Sequence, residues 1–434
     1  MKTVKVGLIG FGIVGTGVVK IFIENADVIS QRLGAKIELA KIVDLDIETD
    51  RGVSVKAGVL TKEVDQVLSN PDIDIVIELI GGVEPAKSFI KKALENGKRV
   101  VTANKALLAK CGEEIFSLAD EKGTAVGFEA AVAGCIPIIR SLKESFAATK
   151  IQAIVGIVNG TANYILSEMT DKRKEFDVAL KEAQELGFAE ADPTFDIEGI
   201  DTAHKAALLT RLAYGTTVNF DEIYIQGISG ITLKDIDYAR EFGYKIKLLA
   251  ISKMSNDSVE VRVHPAMIRE DHALAQINGV FNAVQIYDSL MEKSALIGHG
   301  AGSLPTASAV MGDVIEIARE ILLGVSSRVP VQAFHSSSIK SLPVKDIRQI
   351  ETEYFLRFSA ADKPGVLSVI SGVLGEHSIS IKSVIQHGRD IEGKGVPLII
   401  MTHQAKEEHI QDAVEKLDHT DIITEKSIFI RCES

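Results

Sequence analysis

Five carboxylates and one lysine crowd a single stretch of this 434-residue chain. Glu190, Asp192, Asp196 and Glu198 fall between two helical patterns, one from Phe176 to Leu186 and one from Gly199 to Tyr214, and Asp201 opens the second. Lys205 follows Asp201 by four residues, so the two share a helix face. The helix runs on into the apolar segment Ala206 to Ala213, which would bury the lysine in part and lower its pKa. An amine tuned in this way can pass a proton to a carbonyl oxygen as hydride reaches the carbon. Glu190 and Asp201 could then hold the ammonium group of an amino-acid substrate. Spacing alone also fits an ordinary surface ion pair worth about 0.3–0.5 kcal/mol.

A second group of residues suits a dinucleotide. Gly10-Phe11-Gly12-Ile13-Val14-Gly15 follows a short apolar strand pattern and opens a helical one. In that context the first glycine permits a tight turn, the second a close pyrophosphate, and the third close helix–strand packing. The helix N-terminus favours the phosphate charge. Asp44 ends the second strand pattern, where a carboxylate accepts from ribose hydroxyls and repels a 2′-phosphate. Arg51 is the nearest following arginine, so the loop leans toward NAD or dual use of NAD and NADP. Lys105, just beyond the strand pattern Arg99 to Thr102, stands where a parallel sheet offers its ligand crevice. The glycines from Gly298 to Gly302 precede a helical pattern and could close over a cofactor.

These residues need a frame. Strand and helix patterns alternate up to about residue 104, which predicts a parallel sheet flanked by helices. From about Ala130 long helices and later strands predict an α+β substrate and dimerisation domain. The order βαββαβ over Glu353 to Ser434 predicts a ferredoxin-like module. The α/β chain is thus expected as a Rossmann domain over 1–130, to which about 305–335 returns. A catalytic domain over 131–304, a linker over 336–351 and a terminal domain over 352–434 complete it. The net charge of −12 disfavours a polyanion partner, and no apolar run is long enough to span a bilayer. Three cysteines without CxxC spacing argue against a disulfide framework and a zinc site, and suit the cytoplasm.

Taken together, the Gly10 turn and the segments Val101–Leu108, Phe128–Pro137, Gly156–Leu166, Gly187–Lys205 and Gly300–Val310 resemble the monofunctional bacterial homoserine dehydrogenases. The resemblance implies reversible NAD(P)H-dependent reduction of aspartate 4-semialdehyde to homoserine, a step toward threonine, methionine and isoleucine. It implies that Lys205 is the acid/base and Asp201 its partner. Glu190, Asp201 and Asp196 would bind homoserine, Gly160 and Thr161 would line its pocket, and Lys105 and Gly302 would face the cofactor. It further implies a structural sodium ion on the backbone carbonyls of Glu129, Val132, Gly134 and Ile136. Ser303 and Phe188 depart from the residues common in the family. The terminal segment, with Ala361-Asp362-Lys363-Pro364-Gly365, resembles an ACT domain, which implies an amino-acid effector, threonine, and a dimer or tetramer. Deleting residues beyond about 350 is then expected to remove that control and leave activity. From the residues alone, an oxidoreductase for another amino-acid semialdehyde or 2-oxo acid, and a non-catalytic amino-acid sensor, stay open.

Overall fold

The computed structural model describes residues 2–387 and 395–433. Its first part comprises β1 (Thr3–Ile9), α1 (Ile13–Glu24), α2 (Ala26–Leu33), β2 (Lys36–Val43), β3 (Leu60–Thr61), α3 (Asp65–Leu68), β4 (Ile75–Glu78), α4 (Ala86–Glu95), β5 (Arg99–Thr102), α5 (Lys105–Lys122) and β6 (Val126–Gly127). The six strands form one parallel sheet in the order β3-β2-β1-β4-β5-β6. The order reverses between β1 and β4, and such a switch point opens a crevice at the carboxyl ends of the strands. Val4, Val6 and Leu8 of β1 are buried, as are Ile75 and Ile77 of β4, because helices cover both faces.

The second part comprises α6 (Ile138–Arg140), β7 (Ile151–Ile157), α7 (Gly160–Lys172), α8 (Phe176–Glu185), α9 (Thr194–Ile197), α10 (Ile200–Tyr214), β8 (Thr216–Thr217), β9 (Tyr224–Ile225), α11 (Leu233–Glu241), β10 (Tyr244–Met254), β11 (Val259–Arg269), β12 (Phe281–Asp288) and β13 (Glu292–His299). Helix α12 (Ser303–Leu323) then returns to the first part. Its Ala307, Val310, Met311 and Val314 share a core with Val18 and Val19 of α1. Gly17 makes this approach feasible, since a Cβ there would stand 2.7 Å from the Ser303 carbonyl oxygen.

The last part comprises β14 (Lys340–Ser341), β15 (Glu351–Ala360), α13 (Val366–Glu376), β16 (Ile381–Gln386), β17 (Val396–Thr402), β18 (Ala405–Lys406), α14 (Glu407–Asp418) and β19 (Ile423–Glu433). Its strands run β19-β15-β17-β16, the ferredoxin-like arrangement. This sheet is not separate. Ala266–Ile268 of β11 pair in parallel with Arg431–Glu433 of β19, joining it to β13-β12-β7-β10-β11. Buried ion pairs cross the seam: Arg357 with Asp235 at 2.6 Å and Arg262 with Glu433 at 2.5 Å. Residues 336–351 are held too, with β14 pairing β8 and Val344 bridging Val259. Removing everything beyond 350 would bare the β11 edge beside β19, leave Asp235 without Arg357 and cost Arg262 its Glu433 partner, so truncation is a poor probe of regulation.

Helix α10 settles where the two large parts meet. It lies on β10 and β11 and touches α5 of the first sheet domain. Left-handed glycines bound it, Gly199 at φ 81° and Gly215 at φ 60°. Its first turn faces the carboxyl end of β5, since Asp201 there pairs with Lys105, the first residue of α5.

Candidate active site

The Gly10 turn is shaped by close backbone contact. Gly10 has φ +101°, and a Cβ there would meet the Leu79 backbone at 2.7 Å. A Cβ on Gly15 would lie 2.2 Å from the Gly10 carbonyl oxygen. Gly12, by contrast, has open space where its Cβ would be, and it caps α1 without a side-chain acceptor. The amides of the first helical turn thus stand free for a pyrophosphate, and no acidic residue lies among them. Ser303 donates to the Ile13 carbonyl at 2.7 Å, tying the start of α12 to this turn.

Asp44 is more engaged than its place in the sequence suggests. It accepts from the Phe11 amide at 2.6 Å and from the Asp46 amide at 2.9 Å. Arg51 lies over the Phe11 ring, 4.8 Å from its centroid, with Nη2 3.6 Å from Asp44 Oδ1. A cation therefore stands at the loop where a 2′-phosphate would arrive.

A cleft of about 860 Å³ runs from this turn to α10. Ile13, Val14 and Gly302 line it on the side of the turn, Gly160, Thr161, Glu190, Asp196, Asp201 and Lys205 on the side of α10, and Lys105 reaches Asp201. Gly10, Phe11, Gly12, Gly15 and Asp44 are outside the lining. Asp201 is 2% exposed and Lys205 8%, which rules out a solvated surface pair. Lys205 Nζ donates to Asp201 Oδ2 at 2.6 Å and to the Val158 carbonyl at 2.6 Å. Lys105 Nζ forms an ion pair with Asp201 Oδ1 at 2.8 Å.

Burial pushes the Lys205 amine below the usual lysine range, and Asp201 offsets this only in part. Burial pushes the Asp201 carboxyl up, but Lys205 and Lys105 outweigh it and hold it well below the carboxylate range. Burial likewise pulls Lys105 down, yet Asp201 leaves it raised.

Asn159 is a site residue that residue type and spacing did not single out. Its Nδ2 donates to Asp196 Oδ1 at 2.7 Å and to Asp201 Oδ2 at 2.9 Å, while its Oδ1 caps α7 at the Ala162 amide. The signal was an asparagine before Gly160, at a helix start. Thr161 donates to the Phe188 carbonyl at 2.6 Å and so steadies the loop carrying Glu190. Gly160 sits tight on the chain, where a Cβ would be 2.9 Å from the Val280 carbonyl oxygen. The Glu190 carboxylate bonds to no described residue and faces the cleft.

Glu129, Val132, Gly134 and Ile136 lie in a buried bend with Ala133 at φ 56° and Gly134 at φ 60°. The Glu129 carbonyl accepts only a long bond from Val132, 3.4 Å, and the Ile136 carbonyl accepts from Ile138 at 2.7 Å. No described residue donates to the carbonyls of Val132 or Gly134. Such acceptors fit a hard monovalent cation. The Glu129 side chain is occupied elsewhere, accepting the Ile139 and Arg140 amides at 2.8 Å each. Burial, with Asp313 nearby, pushes its carboxyl up to about 7. Among the described residues no cluster of His, Cys, Asp and Glu could hold a metal, and no helix is long and apolar enough to cross a membrane.

A parallel sheet with a pyrophosphate turn, opening onto a buried lysine–carboxylate pair, defines a pyridine-nucleotide oxidoreductase. Comparison with known proteins narrows the class. Residues 10–129 match the model of the homoserine dehydrogenase NAD-binding domain, 137–315 that of homoserine dehydrogenase, and 354–419 that of the ACT domain. The homoserine dehydrogenase of Neisseria gonorrhoeae is 44% identical over 434 residues, covering 100% of this chain and 99% of that protein. That of Pseudomonas aeruginosa is 43% identical over 435 residues, with coverage of 100% and 99%. The crystal structure of a homoserine dehydrogenase from Thiobacillus denitrificans superposes with TM-score 0.94 at 43% identity, covering 100% of this chain and 99% of that one. A hyperthermophilic archaeal homoserine dehydrogenase mutant in complex with NADPH is 28% identical, with TM-score 0.63, over 73% of this chain and 97% of that one. The chain belongs to the homoserine dehydrogenase family.

Proposed function

We propose that this enzyme interconverts homoserine and aspartate 4-semialdehyde, with Lys205 as the proton carrier. The observation that carries the reading is the Asp201–Lys205 pair, buried at the end of the cleft that begins at the Gly10 turn. A nicotinamide cofactor held at the Gly10 turn would supply the hydride acceptor for the alcohol carbon of homoserine, or the hydride donor for the aldehyde. Neutral Lys205 accepts the hydroxyl proton as that carbon is oxidised, and the ammonium form returns it in reduction. Asp201 orients the amine, and Asn159 orients Asp201. Glu190 and Asp196 supply negative charge for the substrate ammonium, while Lys105 offers a cation to its carboxylate.

The buried carbonyls of Val132 and Gly134 support a sodium ion that would order the bend beside the cleft. The ACT domain supports threonine as effector, and family precedent supports a dimer or tetramer. The three free cysteines suit the cytoplasm.

Arg51 supports use of both NAD and NADP. Homoserine oxidation assayed with each cofactor should therefore show turnover with both. Arg51→Ala should raise KM for NADP about tenfold, the scale of one lost charge-assisted bond, and leave KM for NAD within about twofold. Equal changes for the two cofactors would remove Arg51 from cofactor choice. Threonine added to the same assay should lower the rate of the full chain. A rate unchanged by saturating threonine would exclude it as the effector.

A further inference from the structure

Glu78 ends β4, is fully buried, and has no part in the chemistry above. Burial pushes its carboxyl up, against the pull of its hydrogen-bond donors. A buried acid is a costly way to fill a core unless each donor is needed. Its partners lie at the carboxyl ends of β4 and β5. Glu78 Oε1 accepts from the amides of Ile80 at 2.8 Å and Gly81 at 3.3 Å, in the turn after β4. Oε2 accepts from the Thr102 hydroxyl at 2.6 Å, across the β4–β5 register pair Glu78–Thr102.

Thr102 passes the connection on. Its Oγ1 accepts from the Asn104 amide at 3.0 Å. Asn104 donates to the Gly82 carbonyl at 2.6 Å and caps α5 by accepting from the Leu107 amide at 3.1 Å. Lys105 is the first residue of α5, so this network fixes the backbone from which its side chain reaches Asp201. On the other side, the Leu79 backbone lies against Gly10. One buried carboxylate thus links the turn after β4 to the turn after β5, and both border the cofactor crevice.

We propose that Glu78, acting through Thr102, is a positioning residue that sets the Lys105 ammonium against the Asp201–Lys205 pair. This rests on the reading of Lys105 as part of the substrate site.

The test uses the full-length enzyme with Thr102→Val, which keeps the branched shape and removes the hydroxyl. KM for homoserine should rise, or kcat fall, by about tenfold, while the dissociation constant for NAD or NADP stays within about twofold. Thr102→Ser keeps the hydroxyl and should return both to near wild type. The proposal is overturned if Thr102→Val is within about twofold of wild type in kcat and in homoserine KM. It is equally overturned if cofactor affinity falls as far as turnover, or if Thr102→Ser is as impaired as Thr102→Val. Lys105→Ala, measured alongside, separates the two claims. An unimpaired Lys105→Ala removes Lys105 from the site. An impaired Lys105→Ala beside an unimpaired Thr102→Val overturns only the positioning role.

Discussion

Lys205→Met is expected to lower kcat for homoserine oxidation by about 10³-fold, within the range that a positioned acid/base contributes. Methionine keeps the unbranched stem that α10 packs around and removes only the amine. The loss should fall on kcat, because the amine acts on the hydroxyl proton as hydride leaves. Cofactor affinity should stay within about twofold, since the Gly10 turn lies at the far end of the cleft. Fluorescence titration of NADPH and steady-state kinetics on one preparation separate these quantities. A kcat within about tenfold of wild type would remove Lys205 from proton transfer.

Asp201→Asn should damage both activity and stability. The native carboxylate receives Lys205, Lys105 and Asn159 within 3 Å, in a pocket nearly closed to solvent. Asparagine keeps the shape but leaves two ammonium groups without their counterion. Breaking a buried pair of this kind costs about 3–5 kcal/mol, less whatever Lys205 recovers by giving up its proton. That recovery fixes the pH dependence. Without Asp201 the folded-state pKa of Lys205 drops further below its unfolded value, and Lys105 loses the partner that holds its pKa raised. The penalty is then greatest at low pH and shrinks as pH rises toward the ordinary lysine range. Urea unfolding of wild type and variant at pH 6 and pH 9 measures this. An identical difference at both pH values would contradict the charge argument.

Much of the frame was legible because its signals are local. The apolar run of β1, the glycine spacing after it and the strand–helix alternation each follow from backbone sterics and burial on two faces. The Asp201–Lys205 spacing was equally plain, but its burial was not. Whether α10 faces water or the crevice depends on β10 and β11, some 40 residues further along the chain. Asn159 was hidden for a similar reason, since its partners Asp196 and Asp201 meet it only in the folded state. β13 carries little pattern because it is an edge strand, with Ile297 more than half exposed. The terminal module was readable as βαββαβ, whereas its union with the catalytic sheet was not. Three residues of β19 beside β11 leave no mark in either segment alone. Ser303 proved to anchor α12 to the carbonyl of Ile13, a contact 290 residues apart in the sequence.

The central claim is that a buried lysine carries the proton, and the pH profile of kcat tests it most directly. With Lys205 as base, homoserine oxidation should rise with pH through a pKa below the usual lysine range, because burial favours the neutral amine. Reduction of the semialdehyde should fall across the same interval, since it needs the ammonium form. Lys205→Met should show neither limb. The same pH limb in wild type and Lys205→Met would contradict the account, because the titrating group would then be another residue.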